Sequence, residues 1–315
     1  LLRYAILAPS THNSQPWLFK ISDQNVDVYY NTKYKLPKAD PKGRDLHISL
    51  GCCIENIHIA ADYYQLSHNI KYYEEPDNYL RASIQFVDSG LTHSPNEEFG
   101  PLLRSILQRK NARGLFYNRS IDGVVIEKVL RSVEADIEVN FVTDPKMLEQ
   151  LAAVTLKGIT IAYNDPGFRK EMSKWIHSNF SKTKEGILGR MLRMSNTMSI
   201  VFPIIVRHFN IGKKVAALNG KSWQSASGAI VMSSRDENPV QWMKVGRLAE
   251  RLMLELPLKG FQTSIFAAGI ELGDLQKEIK SVIGTKYSPQ FMFCVGAMSD
   301  LQKEYNPRVP CEQKI

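Results

Sequence analysis

Ala8-Pro9-Ser10-Thr11-His12-Asn13-Ser14-Gln15-Pro16-Trp17 (APSTHNSQPW) separates Leu1–Leu7, which reads as a helix, from WLFKI, which reads as a strand. A plain turn between two core elements needs about four residues. Here Pro9 and Pro16 bias their preceding residues toward extended backbone and fix the path of a longer loop. Between them three hydroxyls (Ser10, Thr11, Ser14) and two amides (Asn13, Gln15) offer donors and acceptors without fixed charge. That array suits a polar, neutral, planar ligand or a polyol chain. It equally suits a capped turn whose side chains serve nearby backbone groups. His12 has no carboxylate or nucleophile beside it in sequence, and makes a weak general base.

Working outward, the next long element is Asp45–Leu66, with apolar residues at 46, 50, 54, 57, 61 and 64, a helical period. Val240–Leu258 repeats the pattern at 242, 245, 249, 252 and 256. Superimposing Gly51 on Gly246, an offset of 195, also aligns Ile54 with Ala249 and Ile57 with Leu252. Strand candidates precede each helix, WLFKI and VDVYY in one case and GAIVMSS (Gly228–Ser234) in the other. NIKYYEE (Asn69–Glu75) and QFMFCVG (Gln290–Gly296) follow them as strands. Helix Leu102–Leu107 leads on to a Ser120-Ile-Asp122 cap, helix Val124–Val133 and the strand IEVNFV, just as Leu1–Leu7 leads to WLFKI. Two copies of one α/β unit is the expectation, although any two buried amphipathic helices align on a glycine. Pro166–Phe180 reads as a helix, and the Met- and Lys/Arg-rich stretch Ser181–Ser222 as a lid or a helical excursion on the core.

Arg109-Lys110-Asn111-Ala112-Arg113, where helix LLRSILQ gives out, places three cations and an amide within five residues. Such a set can clamp a phosphate through the planar fork of arginine; a solvated basic helix end has the same composition.

The totals exclude several classes. A chain of 315 residues, 43% hydrophobic and 23% charged, has ample material for a core. Its longest apolar run, Ile200–Val206, is far short of the ~20 residues that span a bilayer. The formal charge of +8 comes without a Lys/Arg block interleaved with aromatics, so no nucleic-acid partner is expected. No membrane partner is expected either. Cys52, Cys53, Cys294 and Cys311 include no C-x-x-C, and read as buried free thiols in a reducing, cytoplasmic compartment. The chain begins at Leu1 in what reads as mid-helix, so an upstream piece is expected. Neither a G-x-x-x-x-G-K-[ST] loop, a G-x-G-x-x-G fingerprint, an H-E-x-x-H pair nor a G-x-S-x-G elbow occurs. No metal site and no catalytic side chain is therefore assigned, and the chemistry is expected from a bound cofactor.

These residues resemble the nitroreductase family of flavoproteins, most closely its tandem-duplicated, Acg-like branch. The segment Ala8–Trp17 is similar to the family's A-P-S-x-x-N-x-Q-P-W. Arg109–Phe116 resembles its R-R-S-x-R-x-F, with Asn111 in place of serine and one residue added before Phe116. The tail Asn306-Pro307-Arg308-Val309-Pro310 resembles its closing basic segment. The resemblance implies an α+β nitroreductase-like fold, each half a mainly antiparallel sheet with helices, folded together as an internal pseudo-dimer. The halves would be 1–98 and 99–315, the second with an insertion or lid at about 175–222. Because the loop occurs only in the first half and the basic segment only in the second, one complete FMN site and one degenerate site are implied. Pro9, Ser10, Thr11, Asn13 and Gln15 would face the ribityl chain and ring. Arg109, Lys110, Arg113 and Arg308 would face the phosphate and the pyrimidine O2 side, with Asn111 as a donor. The implied activity passes hydride from NAD(P)H to flavin N5, then to a small electron acceptor such as a nitroaromatic or quinone. A monomer or weak homodimer is implied. A protein that binds or sequesters flavin without turnover, or a basic interaction module with a vestigial site, would share these residues.

Overall fold

The computed structural model describes residues 1–74, 78–87, 94–117, 120–121, 134–298 and 305–315. The expected helix at 124–133 and Asp122 of its cap lie outside them. A short helix α1 (Leu2–Ala5) enters the polar loop, and the chain leaves it as β1 (Trp17–Ser22) and β2 (Asn25–Tyr30). In β2, Val26, Val28 and Tyr30 are buried at every second position, the period of a strand with one face on a core. Helix α2 (Arg44–Tyr63) follows, then β3 (His68–Tyr72), β4 (Leu80–Phe86) and α3 (Gly100–Gln108). Next come β5 (Ile137–Val142), α4 (Pro145–Asn164), α5 (Pro166–Trp175) and two short strands, β6 (Ile176–His177) and β7 (Ile187–Leu188). The chain ends with α6 (Asn196–His208), α7 (Gly212–Ser225), β8 (Gly228–Ser234), α8 (Pro239–Leu258), β9 (Gln262–Ile265), α9 (Gly273–Ile283) and β10 (Ser288–Gly296).

The architecture is α+β. One four-stranded antiparallel sheet has the order β1-β2-β4-β3, a second the order β5-β8-β10-β9, and β6 and β7 form a separate parallel pair. In both four-stranded sheets the first strand in sequence stands at one edge, the second and fourth occupy the middle, and the third closes the far edge. In both, a 20-residue helix leaves the second strand: α2 after β2, α8 after β8. GAIVMSS is buried along its whole length, which is why it reads as an unbroken small and apolar run and not as an alternation.

The two long helices cross in the centre and share one core with the inner faces of both sheets, through residues such as Leu50, Ile54, Ile57, Met243, Leu252 and Phe293. Their closest approach is at glycine. A Cβ on Gly51 would lie 2.0 Å from the Met243 carbonyl oxygen, and one on Gly246 would lie 2.1 Å from that of Ile48. The relation is reciprocal: each glycine faces the residue three positions before the other.

The stretch between β5 and β8 is four helices long. Leu151 and Val154 of α4, Trp223 of α7 and Ile279 of α9 pack with Val231 and Met292 of the second sheet. Residues 212–222, part of the expected insertion, therefore belong to a helix on the core. Amphipathic periodicity was diluted there because α7 carries Gly220 and three lysines.

Candidate functional site

The polar knot does not form a simple turn. His12, Asn13 and Gln15 all have left-handed backbone, with φ of 54°, 56° and 53°. Such conformations are costly for residues with a Cβ and persist only where the surroundings hold them. The holding groups are visible. The Asn13 amide donates to the carbonyls of Gly186 (3.0 Å) and Pro307 (3.1 Å) and accepts from Arg308 Nη1 (2.7 Å). The Gln15 amide donates to the Lys184 carbonyl (2.7 Å) and accepts from Val309 N (2.9 Å), and Lys314 Nζ donates to the Gln15 carbonyl (2.7 Å). The two amides thus stitch the loop to a strap at 184–186 and to the C-terminal tail, which explains why a plain turn would not serve.

The segment that begins at Arg109 runs along the β9–β10 side of the second sheet. Ala112 N donates to the Thr263 carbonyl, Ile265 N donates to Asn111 Oδ1 (3.0 Å), and Tyr117 N donates to the Ala297 carbonyl. Phe116 lies on Gly296, where a Cβ would come within 2.7 Å of its ring. That contact fixes the segment's far end.

Between these two segments lies a cavity of about 510 Å³, within the size range of cofactor sites. Pro9, Ser10, Thr11, His12 and Asn13 line it from the loop, and Arg109, Lys110, Asn111 and Arg113 from the basic segment. Arg308 enters from the tail. Gln15 is fully buried outside the lining. Sequence reasoning did not assign the α2 wall (Asp45, Ile48, Ser49, Cys52), the apolar contributions of Ile265 and Phe291, or the roof of Met172, Ile187, Met191 and Leu192. The signal for α2 was the pair of short side chains Ser49 and Cys52 on one helical face; Ile187, Met191 and Leu192 of the roof fall within the stretch read as a lid.

The cations in the cavity differ in what holds them. Arg109 pairs with the fully buried Glu250 (3.4 Å) and donates to the Leu7 carbonyl (3.2 Å). Arg308 donates to the Leu7 and Ala8 carbonyls (both 3.1 Å), just past the C-terminal end of α1. Burial pushes Arg308 down to about 9, with repulsion from Arg109 adding to it. Glu250 is pushed up to about 7 by burial, against the pull of Arg109. Lys110 stacks over the Tyr305 ring at 4.0 Å. Arg113 is different. Burial lowers its affinity for a proton, and among the described residues no carboxylate pairs with it. Beside it His12 is pushed down to about 4 by burial and by Arg113 itself, so its ring is neutral at pH 7 and its Nε2 is buried without a partner.

Asp45, in the first turn of α2, accepts from Thr11 Oγ1 (3.1 Å). Burial, with Asp40 nearby, pushes it up to about 7, against Arg44 and hydrogen bonds from Thr11 and Glu271. The folded protein therefore keeps a proton on Asp45 between about pH 4 and 7 that the unfolded chain releases. Stability from this group is present at low pH and declines as pH rises through 7. Asp45→Asn has no such decline, and should gain up to about 4 kcal/mol over the parent at pH 8, a difference that vanishes toward pH 4 in denaturant titrations.

No family model matches the chain. Among curated proteins it is 24% identical over 324 residues to a Mycobacterium tuberculosis protein provisionally named NAD(P)H nitroreductase acg, an alignment covering 99% of this chain and 93% of that one. The chain resembles the Acg-like nitroreductases along its whole length. A second, uncharacterised M. tuberculosis protein is 22% identical over 312 residues, covering 94% of this chain and 86% of that one. Among solved structures, the FMN-dependent nitroreductase NfnB of Mycobacterium smegmatis in complex with NADPH aligns with a TM-score of 0.44 at 13% identity, over 68% of this chain and 96% of that chain. An FMN- and NADPH-dependent NfnB from a Sphingopyxis strain gives 0.45 at 12% identity, over 68% and 97%.

Proposed function

We propose that the cavity binds FMN and that the protein is an NAD(P)H-dependent oxidoreductase of nitroreductase type, reducing nitroaromatic or quinone-like acceptors by two electrons. The observation that carries this is the meeting of Pro9–Asn13 and Arg109–Arg113 in one cavity, with Arg113 half-buried there and, among the described residues, no carboxylate paired with it. A guanidinium so placed has the donors and charge that a phosphate needs. Ser10 and Thr11 bring hydroxyls for a polyol chain, and Ile48, Ile265, Phe291, Ile187 and Met191 bring an apolar wall for a planar ring. When bound, FMN would supply the hydride-accepting ring. The chain's residues bind, orient and exclude water, and Arg109 with Arg308 keeps positive potential at the site.

The two halves, 1–98 and 99–315, are proposed as an internal pseudo-dimer with one flavin per chain. Matching strand orders and the reciprocal Gly51–Gly246 contact support it, since a two-fold interface pairs each patch with its own copy. At the same offset of 195, Ser49 and Cys52 of the cavity wall correspond to Lys244 and Arg247, whose longer side chains occupy the other position. The four cysteines are all free and buried, which fits the cytoplasm as the proposed compartment.

A second reading has its own support. The strap stitched to Asn13 and Gln15 leads directly into Ile187 of the roof and would slow exchange, as expected of a protein that retains flavin without turning it over. The visible spectrum of the purified protein, with FMN and then NADPH added, separates the two. One flavin per chain, bleached by NADPH and restored by a nitroaromatic, is the expected result. Flavin that stays oxidised favours retention, and no binding at all removes both. Arg113→Ala should weaken FMN binding by about 1.5–3 kcal/mol, the scale of a charged hydrogen bond. An unchanged dissociation constant in a fluorescence titration would remove Arg113 from the phosphate site.

A further inference from the structure

We infer that the outer face of α6 docks the protein on an anionic membrane surface. The inner side of this region roofs the cavity; the outer side carries an apolar stripe. Ile200, Val201 and Ile204 of α6 are 53%, 40% and 60% exposed, and Phe209, just past its end, is 62% exposed. Positions 200, 201 and 204 share one face of a helix, flanked there by Arg207 and His208, both exposed. Ser199 and Val206, on the opposite face, are buried. The stripe is therefore a solvent-facing surface and not a fragment of core.

The electrostatics select the occupant. From Gly186 to Ser234 the chain has no Asp or Glu, while Arg190, Arg193, Arg207, Lys213, Lys214 and Lys221 give it six positive charges, against a formal +8 for all 315 residues. Arg207, Lys213 and Lys214 are exposed within ten residues of Ile204, and Leu218 on α7, 67% exposed, stands between Lys214 and Lys221. A second copy of this chain would bring the same net positive charge to the same stripe. An anionic headgroup layer complements it, with apolar side chains entering the acyl boundary and the cations meeting phosphates. No described helix is long and apolar enough to cross a membrane; the inference concerns a bilayer's surface.

The test is co-sedimentation of the purified chain with vesicles of phosphatidylcholine alone, or with about 30% phosphatidylglycerol. Binding should be confined to the anionic vesicles and fall with salt. Ile200→Glu/Ile204→Glu should weaken it at least ~10-fold, and Lys213→Ala/Lys214→Ala by about 25-fold, near 5-fold per cation. Both variants alter exposed side chains, and their circular dichroism spectra should match the parent. Absence of binding, or binding that the glutamate variant leaves intact, overturns the inference. So does a parent that sediments as a dimer in the ultracentrifuge while the glutamate variant is a monomer, which would assign the stripe to a second copy. Flavin content has no bearing on any of these outcomes.

Discussion

Gly51→Ala is expected to cost about 3 kcal/mol of unfolding free energy, at the upper end of what overpacking usually costs. The new methyl would stand 2.0 Å from the Met243 carbonyl oxygen and 2.9 Å from Gly246 Cα. All of these are backbone atoms, so no rotamer change relieves the clash, and α2 and α8 must separate. Separation thins the core packed on both sides of the crossing, where Leu50, Ile54 and Met243 are fully buried. Gly246→Ala should cost a similar amount, since its methyl meets Ile48 at 2.1 Å. The double variant should cost clearly less than the sum, because helices already forced apart accept the second methyl. Gly273→Ala, where nothing lies within 4 Å of the added Cβ, is the control. Urea unfolding measures all four. A Gly51→Ala loss under 0.5 kcal/mol would mean that the helices are not in contact at these positions.

That crossing is also where the sequence was most informative. Aligning the two long helices on glycine selected the two residues that meet, because only glycine permits such a backbone approach and both helices required it. GAIVMSS and IEVNFV are the strands β8 and β5 with the same limits, since runs of β-branched and apolar residues leave little else to form. The cavity was legible in its polar parts, as Pro9–Asn13 and Arg109–Arg113 carry local chemistry that survives without a fold. What could not be read were consequences of distant contacts. Gln15 looked like a ligand contact, but its amide is consumed by Lys184 and Val309, far away in sequence. Arg109 and Arg113 looked equivalent, but only Arg109 meets Glu250, a pairing that depends on α8 passing behind it. Ile187, Met191 and Leu192 lie in the stretch read as a lid, but no periodicity singled them out within it, since they stand in a short strand and a turn.

The second large effect is expected at Glu55, on the face of α2 turned away from the cavity. Its carboxylate, almost fully buried, accepts from Arg247 Nε (2.9 Å) and Arg251 Nε (2.7 Å), and Arg247 Nη1 donates to the Tyr72 hydroxyl (3.0 Å). Burial alone would raise the Glu55 carboxyl, but Arg251 and Arg247 overcome it and hold it below the usual range. Under the proposed duplication the position related to this cluster by the two-fold has Cys52, Asn56 and Glu250. There short neutral side chains leave the wall open; here two guanidinium groups close it, leaving a cavity of about 210 Å³ against 510 Å³. Glu55→Ala strands two cations that are themselves largely buried, and should cost about 3–5 kcal/mol. Glu55→Gln, which keeps the shape and one acceptor, should cost less. The sign with pH follows from the lowered carboxyl: the parent's advantage is complete above the ordinary glutamate range and shrinks as pH falls through the folded-state value. Thermal unfolding of parent and variants between pH 3 and pH 8 measures this. A loss below ~1 kcal/mol at pH 7 would place the cluster among solvent-screened pairs. In that case the closed position would owe its closure to packing around Leu248 and Ile137, and the asymmetry between the two positions would have an apolar and not an ionic cause.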